Sequence, residues 1–497
     1  MRLSEVVKGL NIVKIVVREG FRPPSEIEVT GITVDSRICK KGDAFFCLTG
    51  GKSDGHAFAK SALNNGAVAL VVERELELPA VQIVVSDTRE ATSVAAANFY
   101  GHPANKLKIV GVTGTNGKTT VSHMLAAILR ADGKRVGVIG TLGIFYANKK
   151  VAPELTTPDP LFMHETFADM VKEGIEYVVM EVSAHALHYK KTQGVRFAAC
   201  AFTNFSQDHL DFFKDKTAYK NAKLSLFSEE ICPIAVVNGD DPVGREIVKL
   251  RSQNKERKTF VYGLDNPSDA FAVLTHETLH GSQFMLNIND ELCRVSLELT
   301  GLHNVYNALA AATCAFSIGI GMSEIKTGLS SLSVLSGRLE RVGEFHGAHV
   351  FIDYAHTPDG LEKSLSCLKK HCRGKLICLF GCGGNRDRGK RPIMGEVAAK
   401  KADFSVLTSD NPRYEDPLDI ISEIEIGYRR FSSSYVVVPD RKKAIGYALD
   451  FVGKGDVLLV AGKGGEDYQE IMGIKYFFND NDIIKKTMEQ KRENPYF

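Results

Sequence analysis

The decapeptide GVTGTNGKTT, residues 111–120, places Gly114, Thr115, Asn116 and Gly117 directly before Lys118, Thr119 and Thr120. It lies between a strand-like run, KIVGVTG, and the helical pattern VSHMLAAILRADGK, with a further strand, RVGVIG, beyond. A loop in that position aims backbone N–H groups and a helix N-terminus at phosphates, Lys118 adds a point charge, and the Thr119 hydroxyl can hold Mg²⁺. The match to GxxxxGK[ST] is imperfect, because Val112 stands at the first glycine position. The order of strand, loop, Lys-Thr and helix still supports a nucleotide-phosphate site. A second concentration of chemistry is TSDNPRYEDP, residues 408–417, where Asp410, Asn411 and Arg413 surround Pro412 just after the apolar run FSVL. Asp, Asn and Pro are also common turn formers, so composition alone reads this string as a plain turn.

Other candidate groups fall at strand ends. YVVMEVSAHAL puts Glu181 at the end of an apolar strand, and AACAFTNFSQDHLD does the same for Asn204, Asp208 and His209. A parallel sheet presents ligands at its carboxyl edge, where a carboxylate and an imidazole can hold a divalent metal beside phosphates. Taken singly, each also reads as a capping or hydrogen-bonding group. Lys223, in the helical TAYKNAKLSLF, reads by itself as a solvated lysine.

The elements that must carry these groups are short β-rich runs alternating with helical patterns, the signature of an α/β fold. At 497 residues the chain is long enough for about three domains. FYGHPANKLK, where Gly101 and Pro103 break a helix, and the segment around Gly337 set the expected boundaries: 1–103, 104–336 and 337–497. A net charge of +2 provides neither a basic field for nucleic acid nor an acidic one for disorder. The longest apolar runs fall well short of the ~20 residues that cross a bilayer, and the first residues lack a signal-peptide pattern, so a cytoplasmic protein without membrane insertion is expected. The ten cysteines form no CxxC pair and are expected to be reduced and mostly buried.

Read in order, GTNGKTT, MEVSAHAL, TNFSQDHLDFF, YKNAKLSLF, LTGLHNVYNALAA, SGRLERV, DYAHTPDGL, FGCGGNRDRGKRPIMG, TSDNPR and AGKGGEDYQ resemble the Mur ligases over nearly the whole chain. The resemblance implies three α/β domains: an N-terminal domain that binds the UDP precursor, a central P-loop ATPase domain with a mostly parallel sheet, and a Rossmann-like C-terminal domain for the incoming amino acid. It implies an ATP-dependent amide ligase of peptidoglycan precursor synthesis that adds meso-diaminopimelate to UDP-MurNAc-L-Ala-D-Glu through an acyl phosphate, acting as a monomer with Mg²⁺. A lysine-adding version and a folylpolyglutamate synthetase-like ligase are the alternatives.

Carried over by position, the phosphate loop from Gly114 to Thr120, with Asn304, Asn307 and Arg338, resembles the ATP site. Thr119, Glu181 and His209 resemble magnesium ligands, and Lys223 is similar to the family's carbamylated lysine (N6-carboxylysine); Lys118, His209 and Lys223 are the implied catalytic groups. Ser36, Thr156, Thr157, Ser183 and Lys191 resemble precursor contacts, while Arg386, Asp410, Asn411, Arg413, Gly462 and Glu466 resemble amino-acid contacts. In that pocket Arg413 would fork onto the distal carboxylate of diaminopimelate, Asp410 and Glu466 would accept from its ammonium, and Asn411 could serve either group. Two departures stand out: Tyr189 and Lys191 replace a Gln and an Arg common among relatives, and Gly465 replaces a His in GKGHEDYQ.

Overall fold

The computed structural model describes residues 1–50, 53–152, 155–228, 230–254 and 258–493. The chain divides into two compact units, one comprising Met1–Gly111, Lys134–Cys200 and Ala222–Pro233, the other Val112–Gly133, Ala201–Asn221 and Ile234–Phe497.

The first unit holds a five-stranded sheet in the order Ile12–Val16, Gln82–Val85, Ala69–Val72, Asp43–Phe46, Gly31–Thr33. Its first pair is antiparallel and the rest are parallel. Asp43–Phe46 and Ala69–Val72 are buried along their whole length, as strands covered on both faces must be. Phe46 faces one core and Phe45 the other. Helix Thr88–Phe99 begins where the Asp87 carboxylate accepts from the Arg89 and Glu90 amides, and ends just before Gly101. The same unit carries Tyr177–Glu181 parallel to Val136–Gly140, extended antiparallel by Gly143–Tyr146 and Lys149–Val151.

In the second unit Ile234–Asn238, Lys258–Gly263 and Ala270–Thr278 run parallel, and Gly281–Ile288 and Glu291–Leu297 continue antiparallel. In each unit antiparallel strands extend the parallel ones. One such extension is a tight hairpin whose loop residues, Asn289 and Asp290, both have positive φ (49° and 67°), the backbone that two-residue hairpin turns require. Helix Lys118–Ala131 packs against helices Leu302–Ser317 and Met322–Ser331.

A six-stranded sheet follows, ordered Glu340–Phe345, Ala348–Asp353, Val457–Ala461, Leu376–Phe380, Phe404–Leu407, Tyr435–Val437. Only the first pair is antiparallel. Helices Pro358–His371, Lys390–Lys401 and Pro417–Tyr428 cover one face, and Arg441–Phe451 and Asp480–Glu493 the other. The loops after four of these strands carry Tyr354, Gly383–Arg386, Asp410–Arg413 and Gly462–Glu466. All four open at the carboxyl edge, the place where such sheets bind ligands.

Candidate active site

Residues 111–120 have the strand–loop–helix layout that the sequence predicts. Strand Lys108–Thr113 leads into the loop, and Gly117 stands at the N-cap of helix Lys118–Ala131 with φ 86°. A Cβ at Gly117 would lie 2.4 Å from Asn307 Oδ1, so only glycine allows both the turn and the approach of that asparagine. The Lys118 ammonium donates to the Gly114 and Thr115 carbonyls at 3.0 and 2.9 Å. The Asn116 amide donates to Asn204 Oδ1 (3.0 Å), and Thr203 Oγ1 to the Asn116 carbonyl (2.6 Å). Thr115 N donates to the Asn204 carbonyl at 2.8 Å. These bonds seat the loop on the strand-end segment that also bears Asp208 and His209. Thr119 and Thr120 are buried in the first helical turn, and Arg338 Nη2 donates to Thr119 Oγ1 at 2.8 Å. Asn116 Nδ2 reaches Asp359 Oδ2 at 2.8 Å.

Asn304 and Asn307 are buried on helix Leu302–Ser317. Asn304 Nδ2 donates to the Thr300 carbonyl (2.8 Å) and its Oδ1 accepts from Asn307 Nδ2 (3.1 Å), which fixes both amides.

Asp208 is the hub of a charged group. His209 Nε2 lies 3.3 Å from its carboxylate, Lys390 Nζ 3.4 Å and His356 Nε2 3.8 Å. Burial works against ionisation there, yet His356, Lys390 and His209 hold this carboxyl well below the usual range.

In the first unit the Glu181 carboxylate, almost wholly buried, takes the Thr141 amide on Oε1 (2.9 Å) and the Thr141 hydroxyl on Oε2 (3.1 Å). Thr141 Oγ1 also meets Thr156 Oγ1 at 3.1 Å. Thr157 Oγ1 donates to the Glu181 carbonyl (2.9 Å) and accepts from the Ser183 amide (3.0 Å), while Ser183 Oγ caps the following short helix. Thr156, Thr157, Glu181 and Ser183 thus form one group. Lys191 forms an ion pair with Asp159 at 2.6 Å. Ser36 is buried, its carbonyl accepting from Asn65 Nδ2 at 2.7 Å, and the Arg37 guanidinium beside Asp35 lowers that carboxyl to about 2. Lys223 is only 1 % exposed, which overturns its reading as a solvated lysine. Among the described residues no three His, Cys, Asp or Glu side chains converge as a metal site. None of the ten cysteines, all among the described residues, forms a disulfide, and most are buried.

The string 408–417 is far from a plain turn. Asp410 and Asn411 are buried, and Arg413 takes a left-handed φ of 53°. That strained conformation is held by the Arg413 amide on the Glu470 carbonyl (3.0 Å) and the Met472 amide on the Arg413 carbonyl (2.7 Å). Arg413 Nε pairs with Glu470 Oε2 (3.0 Å) and Nη1 donates to the Gly384 carbonyl (2.8 Å). Of the guanidinium edge expected to grip a carboxylate, Nη2 is the nitrogen left to do so. Asn411 has less freedom than expected, since its Oδ1 accepts from Lys463 Nζ (3.2 Å) and the Glu470 amide (2.9 Å), and its Nδ2 donates to Glu466 Oε2 (2.9 Å). Tyr354 OH donates to Glu466 Oε1 at 3.4 Å. Gly462 donates its amide to the Asp353 carbonyl, and a Cβ there would lie 2.5 Å from Asp410 Oδ2. Arg386 is about half exposed, 3.8 Å from Asp211, and borders with Arg413 the same glycine, Gly383.

Two groups of this region went unnoticed in the sequence. Lys463 lies inside the motif AGKGGEDYQ, three positions before Glu466. Arg391, buried against Glu415 and Glu423, lies inside GGNRDRGKRP but is unremarkable there among three other basic residues.

A Gly-rich loop at a helix N-terminus and a doubly wound sheet with charged groups at its carboxyl edge are features of nucleotide-binding α/β proteins. Family models match at residues 28–109 (Mur ligase family, catalytic domain), 112–315 (Mur ligase middle domain) and 337–464 (Mur ligase, glutamate ligase domain). The chain belongs to the Mur ligase family. Among its relatives, the UDP-N-acetylmuramoyl-L-alanyl-D-glutamate--2,6-diaminopimelate ligase of Caldanaerobacter subterraneus subsp. tengcongensis is 40% identical over 99% of this chain and 100% of its own length. The ligase of the same name from Syntrophomonas wolfei is 41% identical over the same shares. A solved structure, also of a UDP-N-acetylmuramoyl-L-alanyl-D-glutamate--2,6-diaminopimelate ligase, aligns with TM-score 0.70 and 31% identity over 99% of each chain. Folylpolyglutamate synthase of Mycobacterium tuberculosis, at 18% identity and TM-score 0.62 over 75% of this chain and 92% of its own, shares the fold alone.

Proposed function

We propose that this chain joins meso-diaminopimelate to UDP-MurNAc-L-Ala-D-Glu at the expense of ATP. The carrying observation is the cluster at the carboxyl edge of the six-stranded sheet: Asn411 linked to Glu466, Asp410 against Gly462, and Arg413 with one guanidinium nitrogen unspent. An acidic pair beside a guanidinium suits a far end that is itself a zwitterion. The full-length relatives bearing that activity support the same reading.

In this reading the γ-phosphoryl group of ATP passes to an oxygen of the free D-glutamate carboxylate, leaving ADP. The diamino acid's amine then attacks the acyl carbon: the C–N bond forms, the C–O bond to phosphate breaks, and the nitrogen loses a proton. Lys118 and the loop amides after Gly114 hold the phosphates, Asn304 and Asn307 shape the nucleotide pocket, and Arg338 meets growing negative charge. Ser36, Thr156, Thr157, Ser183 and Lys191 bind the precursor. The donors on Thr119 and Glu181 are oxygens, the Glu181 carboxylate already oriented by Thr141, which suits a hard cation. Thr119, Glu181, His209 and Lys223, the last as a carbamate, would hold Mg²⁺, which supplies charge neutralisation at the phosphates. A monomer working in the cytoplasm, where ATP is at hand, completes the proposal.

The test is phosphate release measured with ATP, UDP-MurNAc-L-Ala-D-Glu and an amino acid. Release that requires both the precursor and diaminopimelate, with kcat/KM above that for lysine, is the expected result. A preference for lysine, or release that needs a folate instead, would overturn it.

A further inference from the structure

We propose that Lys463 is a positioning residue of the amino-acid pocket, setting the Asn411 amide and the Glu466 carboxylate in the one arrangement that receives the diamino acid. This deepens the function proposed above and rests on it for the identity of the ligand.

The Lys463 side chain is 0 % exposed, yet its ammonium has an acceptor for each of its three protons: Asn411 Oδ1 at 3.2 Å, Glu466 Oε2 at 3.0 Å and the Tyr468 carbonyl. A buried ammonium is tolerated only when so satisfied. With no proton left for a ligand, Lys463 acts through its neighbours. Its effect on Asn411 is directional: an ammonium can only donate, so the carboxamide must turn its oxygen toward Lys463 and the Glu470 amide. The Asn411 nitrogen is thereby aimed at Glu466 Oε2, 2.9 Å away. Glu466 Oε2 is then saturated by two donors, while Oε1, touched among the described residues only by Tyr354 OH at a long 3.4 Å, stays available as an acceptor for a substrate ammonium. The lysine also offsets negative charge where Asp410, Glu466 and Glu470 gather beside Arg413.

The backbone leaves little slack. Gly464 has φ 52°, and Cβ atoms on Gly464 and Gly337 would lie 2.7 Å from Tyr354 Cβ and 2.0 Å from Gly465 N. The turn bearing Lys463 and Glu466 is therefore held against the Tyr354 segment, and the remaining freedom is in side-chain rotamers, which the ammonium removes.

The experiment compares full-length wild type with Lys463→Met, varying diaminopimelate, ATP and UDP precursor in turn. The expected result is a rise in KM for diaminopimelate of at least ~10-fold with kcat and the other two KM values within about 3-fold, the signature of lost amino-acid binding. In a Glu466→Gln background the same substitution should add less than about 3-fold, because coupled residues are non-additive. An unchanged KM for diaminopimelate, equal rises for all three substrates, or full additivity with Glu466→Gln would overturn the proposal.

If Lys463→Met fails to fold, as judged by thermal melting and ADP binding, Asn411→Asp serves instead. It keeps the oxygen that Lys463 and Glu470 need but sets an anion against Glu466, and should give the same selective KM rise; a folded Asn411→Asp protein with unchanged KM overturns the proposal. Wild-type turnover separates the two readings: a wild type that prefers lysine to diaminopimelate overturns the substrate assignment, and the Lys463 effect is then read on KM for lysine. A wild type that accepts neither amino acid overturns both.

Discussion

Lys223 and Arg413 show how far a residue's chemistry depends on its surroundings. At 1 % exposure, Lys223 cannot be the solvated cation its helix suggests, and a carbamate would turn it into an anionic oxygen ligand. The expected outcome is a carbamate resonance in ¹³C NMR after exchange with ¹³C-bicarbonate, absent in Lys223→Ala. Turnover of that variant should be crippled and partly restored by added short carboxylates. An unmodified amine together with full activity in Lys223→Ala would refute this. Arg413 serves its own loop first, through Glu470 and the Gly384 carbonyl. Arg413→Ala should lower kcat/KM for diaminopimelate at least ~10²-fold and shrink its advantage over lysine, since the charge contact to substrate proposed above is lost. Unchanged relative kcat/KM values for the two amino acids would show that Nη2 does not read the distal carboxylate. The acid, amide and guanidinium could be read from the string itself. That Asn411 is committed to Lys463 could not, because those two lie 52 positions apart.

At the scale of elements, the pocket loops are held by buried arginines behind them. Arg441, at the start of helix Arg441–Phe451, is completely buried with Asp480, which opens helix Asp480–Glu493. Its guanidinium pairs with that carboxylate at 2.9 and 2.7 Å and also donates to the Ser409 and Ala461 carbonyls, at the bases of the loops bearing Asp410 and Gly462. Arg441→Met leaves Asp480 buried and unpaired, a loss of about 3 to 5 kcal/mol, to be measured by urea unfolding. KM for diaminopimelate should rise along with it. Replacing Arg441 and Asp480 together by apolar residues should cost much less, and an equal cost would refute the clamp. Strands, helices and their breaks were legible from periodicity and from Gly101 and Gly337. The antiparallel additions at Gly143–Val151 and Gly281–Leu297 were not, since short apolar runs carry no mark of strand direction.

Across the molecule, one buried histidine, His164, and two half-buried ones, His123 and His303, tie stability to pH. Burial pushes His164 down to about 4, helped by nearby His102; His303 and His123 also fall to about 4, again mainly through burial. In the unfolded chain these rings titrate near ~6.5. Between those values the unfolded state binds protons that the native state refuses, so stability is full above about pH 6.5 and is lost progressively as pH falls toward 4. His164, whose two ring nitrogens have no hydrogen-bond partner among the described residues, is the clearest probe. His164→Leu should retain stability at pH 7.5 and unfold at a higher urea concentration than wild type at pH 5, by on the order of 1 kcal/mol or more; parallel pH profiles for the two proteins would refute the assignment. The sequence by itself determined the α/β class, the phosphate loop, the order of the motifs and hence the family, because turns, helix starts and strand ends are set by residues within a few positions of one another. Only the tertiary structure decided which groups are buried and what each is paired with. Asn116 meets Asp359 across 243 positions, and Lys390 meets Asp208 across 182. Such pairs depend on how whole sheets and helices pack, and packing is a sum over many distant residues that no local pattern records.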